Sequence, residues 1–299
     1  MKLIKLFLVL FILTLFSSCT KDKSDKQSIA VTIYPFKTIL QEIVGNDIKI
    51  DVLLPAGADP HTYEMSPSDF KKIQDAKIFF YGAESLDGWA AKVESENKIE
   101  LLKLIPKEFL IDIKISDEHS HQSETETLHH YGVDPHFWTD PLTVNAMLKP
   151  LTEKLSSFYP EKKEIFRRNA GRFSERLIEL DKRIKEQAKA IEHSKVFSAH
   201  PFYNYFFYRY RIEVVGSLEF SPGQQVTPKY LKKISDEIRS KNVKAIFINK
   251  QHISKPAKIL AESVNVKIVE LDPFGGVNEL MTYEDIIKHN FDLILKALQ

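Results

Sequence analysis

The 299-residue chain contains one cysteine, so no disulfide can form within it. That residue, Cys19, needs another reason to be present. Neither sign of charge dominates: 42 Lys and Arg stand against 41 Asp and Glu, a formal charge of +1. Such a balance points to no nucleic-acid or acidic-substrate partner. The N-terminal apolar run, Leu6 to Phe16, falls short of the ~20 residues that a membrane-spanning helix needs. Also missing are the His-Glu-x-x-His spacing of zinc peptidases and the Gly-x-Ser-x-Gly of a nucleophile elbow. What remains is ordinary for a folded soluble protein: 43% hydrophobic and 28% charged residues, in a length that fits one large or two medium domains.

The N-terminus departs from this pattern. Lys2 and Lys5 precede the apolar run, which ends in Phe16-Ser17-Ser18-Cys19 and gives way to the polar stretch Thr20 to Ser28. The order of charge, apolar run and small residues predicts a secretory signal over residues 1–18. Its end resembles a bacterial lipobox, in which the cysteine becomes the lipidated first residue of the mature chain. Phe16 stands where that pattern usually has Leu, with Leu15 one place earlier. On this reading Cys19 carries a lipid anchor and residues 19–28 form a tether. Loss of residues 1–18 removes two lysines and no acids, taking the formal charge from +1 to −1. The alternative is a plain secreted protein with an incidental cysteine.

From residue 29 onward, short apolar stretches alternate with amphipathic ones. Strands are expected at 29–33, 48–54, 77–81 and 109–115, with helices at 35–44, closed by Gly45, and at 67–76. Residues 116–133 break the alternation and read as a surface loop carrying His119, His121, His129 and His130. Helix follows at 141–158, and then a long, densely charged helical pattern from Pro160 to about Glu192, roughly 45 Å at 1.5 Å per residue. The alternation then restarts, with strands at 195–199, 212–215, 244–248 and 266–271 and helices at 203–210, 228–240, 254–264 and 283–298. The chain is therefore expected to be α/β, with two lobes, each a mostly parallel sheet flanked by helices, joined by one long rigid helix. The lobes span 29–158 and 193–299, and the linking helix spans 159–192. Such a helix argues against a wide hinge between the lobes.

The tripeptide Asp-Pro-His occurs at Asp59-Pro60-His61 and again at Asp134-Pro135-His136; His200 and Asp272-Pro273 follow in the second half. Proline fixes its own φ and biases the residue before it away from helix, so each turn is semi-rigid. Three neutral imidazoles and one carboxylate suit a divalent transition metal. Each candidate follows a strand, directly or by a short loop, and open α/β sheets bind ligands beyond the carboxyl ends of their strands. His61, His136, His200 and Asp272 are therefore candidate metal ligands, two from each lobe, meeting in a cleft. Asp59 and Asp134 either accept from ring N–H groups or serve as ordinary turn residues.

The stretch Pro55-Ala56-Gly57-Ala58-Asp59-Pro60-His61-Thr62-Tyr63-Glu64, followed by Pro67-Ser68-Asp69, resembles the first ligand loop of the zinc- and manganese-binding receptor lipoproteins of ABC importers. Asp134 to Pro141 resembles the second loop, Ser198 to Tyr203 with Tyr205-Phe206 the third, and Leu271-Asp272-Pro273 the fourth. The resemblance implies two α/β lobes, a rigid connecting helix, one cleft metal held by His61, His136, His200 and Asp272, and no enzymatic activity. It implies a lipid-anchored, extracytoplasmic monomer that delivers its ion to an ABC permease. Histidine at the third position implies zinc, with manganese and iron as alternatives. The residues 116–133 correspond to a His- and acid-rich insert, whose His119, His121, His129 and His130 either bind auxiliary zinc or are merely solvated. The acid that other members often carry after the strand near 248 is here replaced by Asn249-Lys250, and His193, His252 and His289 match no ligand loop. Two readings of other classes stand beside this one: a zinc hydrolase using Asp272 as a base, and a surface adhesin.

Overall fold

A computed structural model describes residues 27–116, 128–218, 226–252 and 255–299. The expectations for the signal peptide, Cys19, the tether before residue 27, and His119 and His121 lie outside these residues. Among the described residues, no helix is long and apolar enough to cross a membrane.

The first half is built on β1 (Ile29–Val31), β2 (Ile50–Val52), β3 (Ile78–Tyr81) and β4 (Lys98–Glu100), in the order β2-β1-β3-β4 and all parallel. The two central strands, β1 and β3, are unbroken apolar runs, and Ile29, Ala30, Val31, Ile78, Phe79 and Phe80 are fully buried. Runs of this kind are what parallel strands covered on both faces require. The helices are α1 (Tyr34–Val44), α2 (Pro67–Asp75) and α3 (Glu84–Ala91). Gly45 ends α1 as expected: it takes φ 72° and its N–H donates to Gln41 O at 2.9 Å. α2 begins with a capping box, in which Ser66 and Asp69 satisfy one another's backbone N–H groups.

β5 (Asp112–Ser116) pairs antiparallel with β6 (Leu128–Val133), through Asp112↔Val133 and Lys114↔His130. Residues 128–133 are therefore strand, not loop, and His129 and His130 lie on it. The expected strand at 109–115 is β5; its partner β6 lies outside either parallel sheet, needs no apolar alternation, and so carries no sign in the sequence. α4 (Pro141–Phe158) and a short 3-10 turn at Pro160–Lys162 lead into α5 (Lys163–Ala188).

The second half holds β7 (Lys195–Ser198), β8 (Glu213–Ser217), β9 (Ala245–Asn249) and β10 (Lys267–Leu271), again all parallel, in the order β10-β9-β7-β8. Its helices are α6 (Asn204–Arg209), α7 (Pro228–Ser240), α8 (Lys255–Val264) and α9 (Tyr283–Leu298). The fold is thus the expected pair of parallel sheets flanked by helices, with a long helix between them.

α5 spans 26 residues, about 39 Å. Phe166, Ala170, Phe173, Leu177, Leu180 and Ile184 recur every three or four residues and are buried, a single apolar stripe. That stripe packs on α4 and α1 of the first half and reaches α9 of the second. Arg176 ties the three helices together, pairing with Glu42 of α1 at 2.5 Å and Glu284 of α9 at 2.8 Å. Phe173 meets Tyr283 edge to face at 6.0 Å. One apolar core runs through both halves, from Ile29 of β1 to Leu298 of α9.

Candidate metal centre

The loop after β2 carries His61 and is held from below. Trp89 Nε1 of α3 donates to Pro60 O at 2.9 Å, and the Trp89 ring meets Tyr63 edge to face at 5.1 Å. Tyr63 in turn donates to Asp69 Oδ2 at 2.7 Å, within the capping box of α2. Asp59 Oδ1 accepts the His61 backbone N–H at 2.9 Å, closing the Asp-Pro-His turn. His61 Nδ1 lies 3.2 Å from Ser85 O. A carbonyl only accepts, so this nitrogen is the protonated one in the neutral ring, leaving the Nε2 lone pair free.

The second Asp-Pro-His is built on the same plan and buried more deeply. Asp134 Oδ1 accepts the His136 backbone N–H at 2.9 Å and lies 2.8 Å from His136 Nδ1. A carboxylate there fixes the Nδ1–H form of the ring and orients Nε2 as a metal ligand. Asp134 is itself anchored to the second half: its Oδ2 accepts from Asn204 Nδ2 at 3.1 Å, and its main-chain oxygen from Tyr205 OH at 2.9 Å. Farther along the loop, Trp138 Nε1 donates to Pro273 O at 2.9 Å and Tyr283 OH donates to Trp138 O at 2.9 Å. Asp140 caps α4 through Leu142 N and Thr143 N and also receives Arg209, with Nη2–Oδ2 at 2.6 Å. His136 thus belongs by sequence to the first half but is positioned by the second.

His200 follows β7 and is buried. Its ring centroid lies 5.0 Å from that of His61 and 5.1 Å from that of His136. The three imidazoles each offer a nitrogen within 4.8 Å of the others, and they form the group of potential metal ligands found among the described residues. His61 Nε2 and His136 Nε2 are only 3.4 Å apart. Both carry lone pairs, because both Nδ1 atoms face acceptors. Two lone pairs at this distance repel unless a proton or a cation lies between them. Tetrahedral zinc with Zn–N bonds near 2.0–2.1 Å sets its ligand nitrogens about 3.3 Å apart. The observed separation fits a shared zinc ion without rearrangement. Burial, and then repulsion from His136, push the His61 imidazole down to about 4, so it stays neutral at any physiological pH.

Asp272 is buried at the end of β10 but is not part of the three-imidazole group. Its Oδ1 accepts from Gln251 Nε2 at 2.7 Å, Gly275 N at 3.0 Å and Phe274 N at 3.2 Å. Gly275 can aim its N–H this way because it sits at φ 61°, where an added Cβ would strike Ile286 at 2.6 Å. Asp272 Oδ2 lies 3.7 Å from Lys250 Nζ. His252, which the sequence alone leaves among the surface residues, is partly buried, with Nδ1 3.2 Å from Asp59 Oδ2. The roles of Ser85, Trp89 and Arg209 also carry no sequence signal, since each arises from chain segments brought together by the fold.

The family model for "ZnuA: Zinc-uptake complex component A periplasmic" matches residues 29–297. The high-affinity zinc uptake system protein ZnuA of Bacillus subtilis is 27% identical over 284 residues, covering 93% of this chain and 89% of that one. The zinc-binding protein AdcA of Streptococcus pyogenes is 28% identical over 265 residues, covering 85% of this chain and 52% of that one. The chain therefore spans about half the length of the AdcA relatives it matches. Among solved structures, the periplasmic zinc-binding protein TroA of Treponema pallidum superposes with a TM-score of 0.75 at 22% identity, covering 91% of this chain and 99% of that one.

Proposed function

The chain belongs to the family of the periplasmic component A of zinc-uptake complexes, and from that premise we propose that it is the receptor that captures Zn2+ between its two halves and delivers it to the membrane permease of an ABC importer. The observation that carries this reading is the pair of bare Nε2 atoms at 3.4 Å, with the buried His200 beside them. His61, His136 and His200 supply three neutral nitrogen ligands, and Asp272 supplies the fourth once zinc is present. Zinc accepts imidazole readily, whereas manganese favours oxygen-rich sites, so zinc is the cargo and manganese or iron the poorer fit. Three imidazoles alone would also suit a catalytic zinc, but the family is one of uptake components and not of enzymes. Residues 29–158 and 193–299 act as the two lobes, with 159–192 as the strut that restrains them. Anchoring through Cys19 keeps the monomeric receptor outside the cytoplasm, in the periplasm or at the cell surface, attached to a bacterial membrane.

The test is His200→Ala, assayed by calorimetric titration with zinc. Groups that merely orient zinc ligands are worth about 10–100-fold in affinity, so loss of a ligand costs roughly 100-fold or more. Unchanged binding by the folded variant removes this assignment.

A further inference from the structure

The turn after β9 touches both sides of the metal centre. Lys250 N–H donates to Leu271 O at 2.9 Å, which seats the turn against the end of β10. Gln251 N–H donates to Asn249 Oδ1 at 2.8 Å, and Asn249 and His252 form an isolated bridge. From this base Lys250 and Gln251 reach Asp272, while His252 reaches Asp59 in the His61 loop.

Asp272 is held at every point except one. Its main chain is clamped by Asn290, which accepts the Asp272 N–H and donates to the Asp272 carbonyl, both at 2.7 Å. Its Oδ1 is saturated by three donors. Among the described residues its buried Oδ2 has no hydrogen-bond donor, and the Lys250 ammonium lies 3.7 Å from it. That oxygen is the atom left for a metal, and the ammonium already neutralises it.

We propose that Lys250 is a displaceable counter-ion of Asp272, so that zinc recruits its fourth ligand only by exchanging with the lysine. This rests on the reading of Asp272 as the fourth zinc ligand. Lysine suits the exchange. Its side chain is 51% exposed, against 3% for Asp272, so the ammonium can swing into water at little cost. While it stays, zinc meets three neutral ligands and a nearby positive charge. When it returns, it competes with bound zinc for the carboxylate. Lys250 therefore weakens zinc binding and speeds release, which serves a receptor that must surrender its cargo.

The experiment measures zinc affinity by competition with a chromophoric chelator, and dissociation by stopped flow, for wild type, Lys250→Ala, Lys250→Arg, Asp272→Asn and the Lys250→Ala/Asp272→Asn double variant. Lys250→Ala is expected to bind zinc roughly tenfold tighter with slower release, a change equal to about 1.4 kcal/mol. Lys250→Arg, which keeps the charge, stays near wild type. Asp272→Asn weakens binding, and in that background Lys250→Ala changes nothing further. If Asp272→Asn binds weakly but Lys250→Ala is no tighter than wild type, the counter-ion role fails while the ligand assignment stands. A gain from Lys250→Ala that persists without the Asp272 charge also overturns the exchange. If Asp272→Asn binds like wild type, Asp272 is no ligand and both ideas fall. Melting of each metal-free variant confirms that the folds are equal.

Discussion

Asp134→Asn isolates the orientation of one ligand from its presence. The Asp134 side chain is fully buried and holds His136 twice, through the backbone N–H at 2.9 Å and ring Nδ1 at 2.8 Å. Asparagine is almost the same shape, and its carbonyl oxygen can still accept from the ring, so the turn should survive. What it loses is the negative charge that stabilises a metal-bound imidazole. Hydrogen bonds to charged groups contribute about 1.5–3 kcal/mol, against about 1 for neutral pairs. The difference predicts a loss of roughly 0.5–2 kcal/mol in zinc binding, about 2- to 30-fold in Kd, reaching into the lower part of the range for partners of metal ligands. Metal-free stability should change far less, because Asn204 is an amide that can turn over to meet the new Nδ2, and Tyr205 binds the unaltered main-chain oxygen. Chelator competition gives the affinity, and melting with and without zinc gives the stabilities. A variant with wild-type affinity, or one whose metal-free form loses as much stability as the complex loses in binding, would show that Asp134 is a structural residue and not a tuner of the ligand.

Two further outcomes follow from the same geometry. The folded His61 imidazole sits at about 4, below its ordinary 6.5, so the unfolded chain binds the extra proton first as pH falls. The metal-free protein should keep its full stability above pH 6.5 and lose up to roughly 3 kcal/mol between pH 6.5 and 4; urea midpoints of wild type and His61→Gln should converge over that interval, and a constant gap would refute the shift. Asp140→Ala removes the cap of α4 and strands Arg209, which is expected to cost about 3 kcal/mol or more; a urea denaturation loss under 1 kcal/mol would show that the contact is idle.

The parallel strands were legible because β1 and β3 are unbroken apolar runs of the kind only a doubly covered sheet needs. The long helix was legible from its recurring Phe and Leu stripe. β4 was not: it is three residues, Lys98-Ile99-Glu100, with one buried side chain, too short for any period to show. α3 was hidden by its kink at Asp87, whose backbone at φ −128° and ψ 51° interrupts the helix while its buried carboxylate binds the N–H groups of Gly82 and Ala83. The three imidazoles could be named from their Asp-Pro-His and strand-end settings. The engagement of Asp272 by Lys250 could not. It depends on two neighbouring strand ends lying side by side, a relation that exists only once β9 and β10 have paired.

The apolar cluster that both halves share bears on how such a chain is made. Phe291, Ile294 and Leu298 of the last helix share that core with Ile29 and Val31 of the first strand. A polypeptide emerging N-terminus first, from a ribosome or a translocation pore, cannot seal its interior until the final 16-residue helix has arrived. Until then the shared cluster lacks part of its wall, and a truncation of one or two turns at the far end would remove buried side chains from the same cluster that covers the first strand.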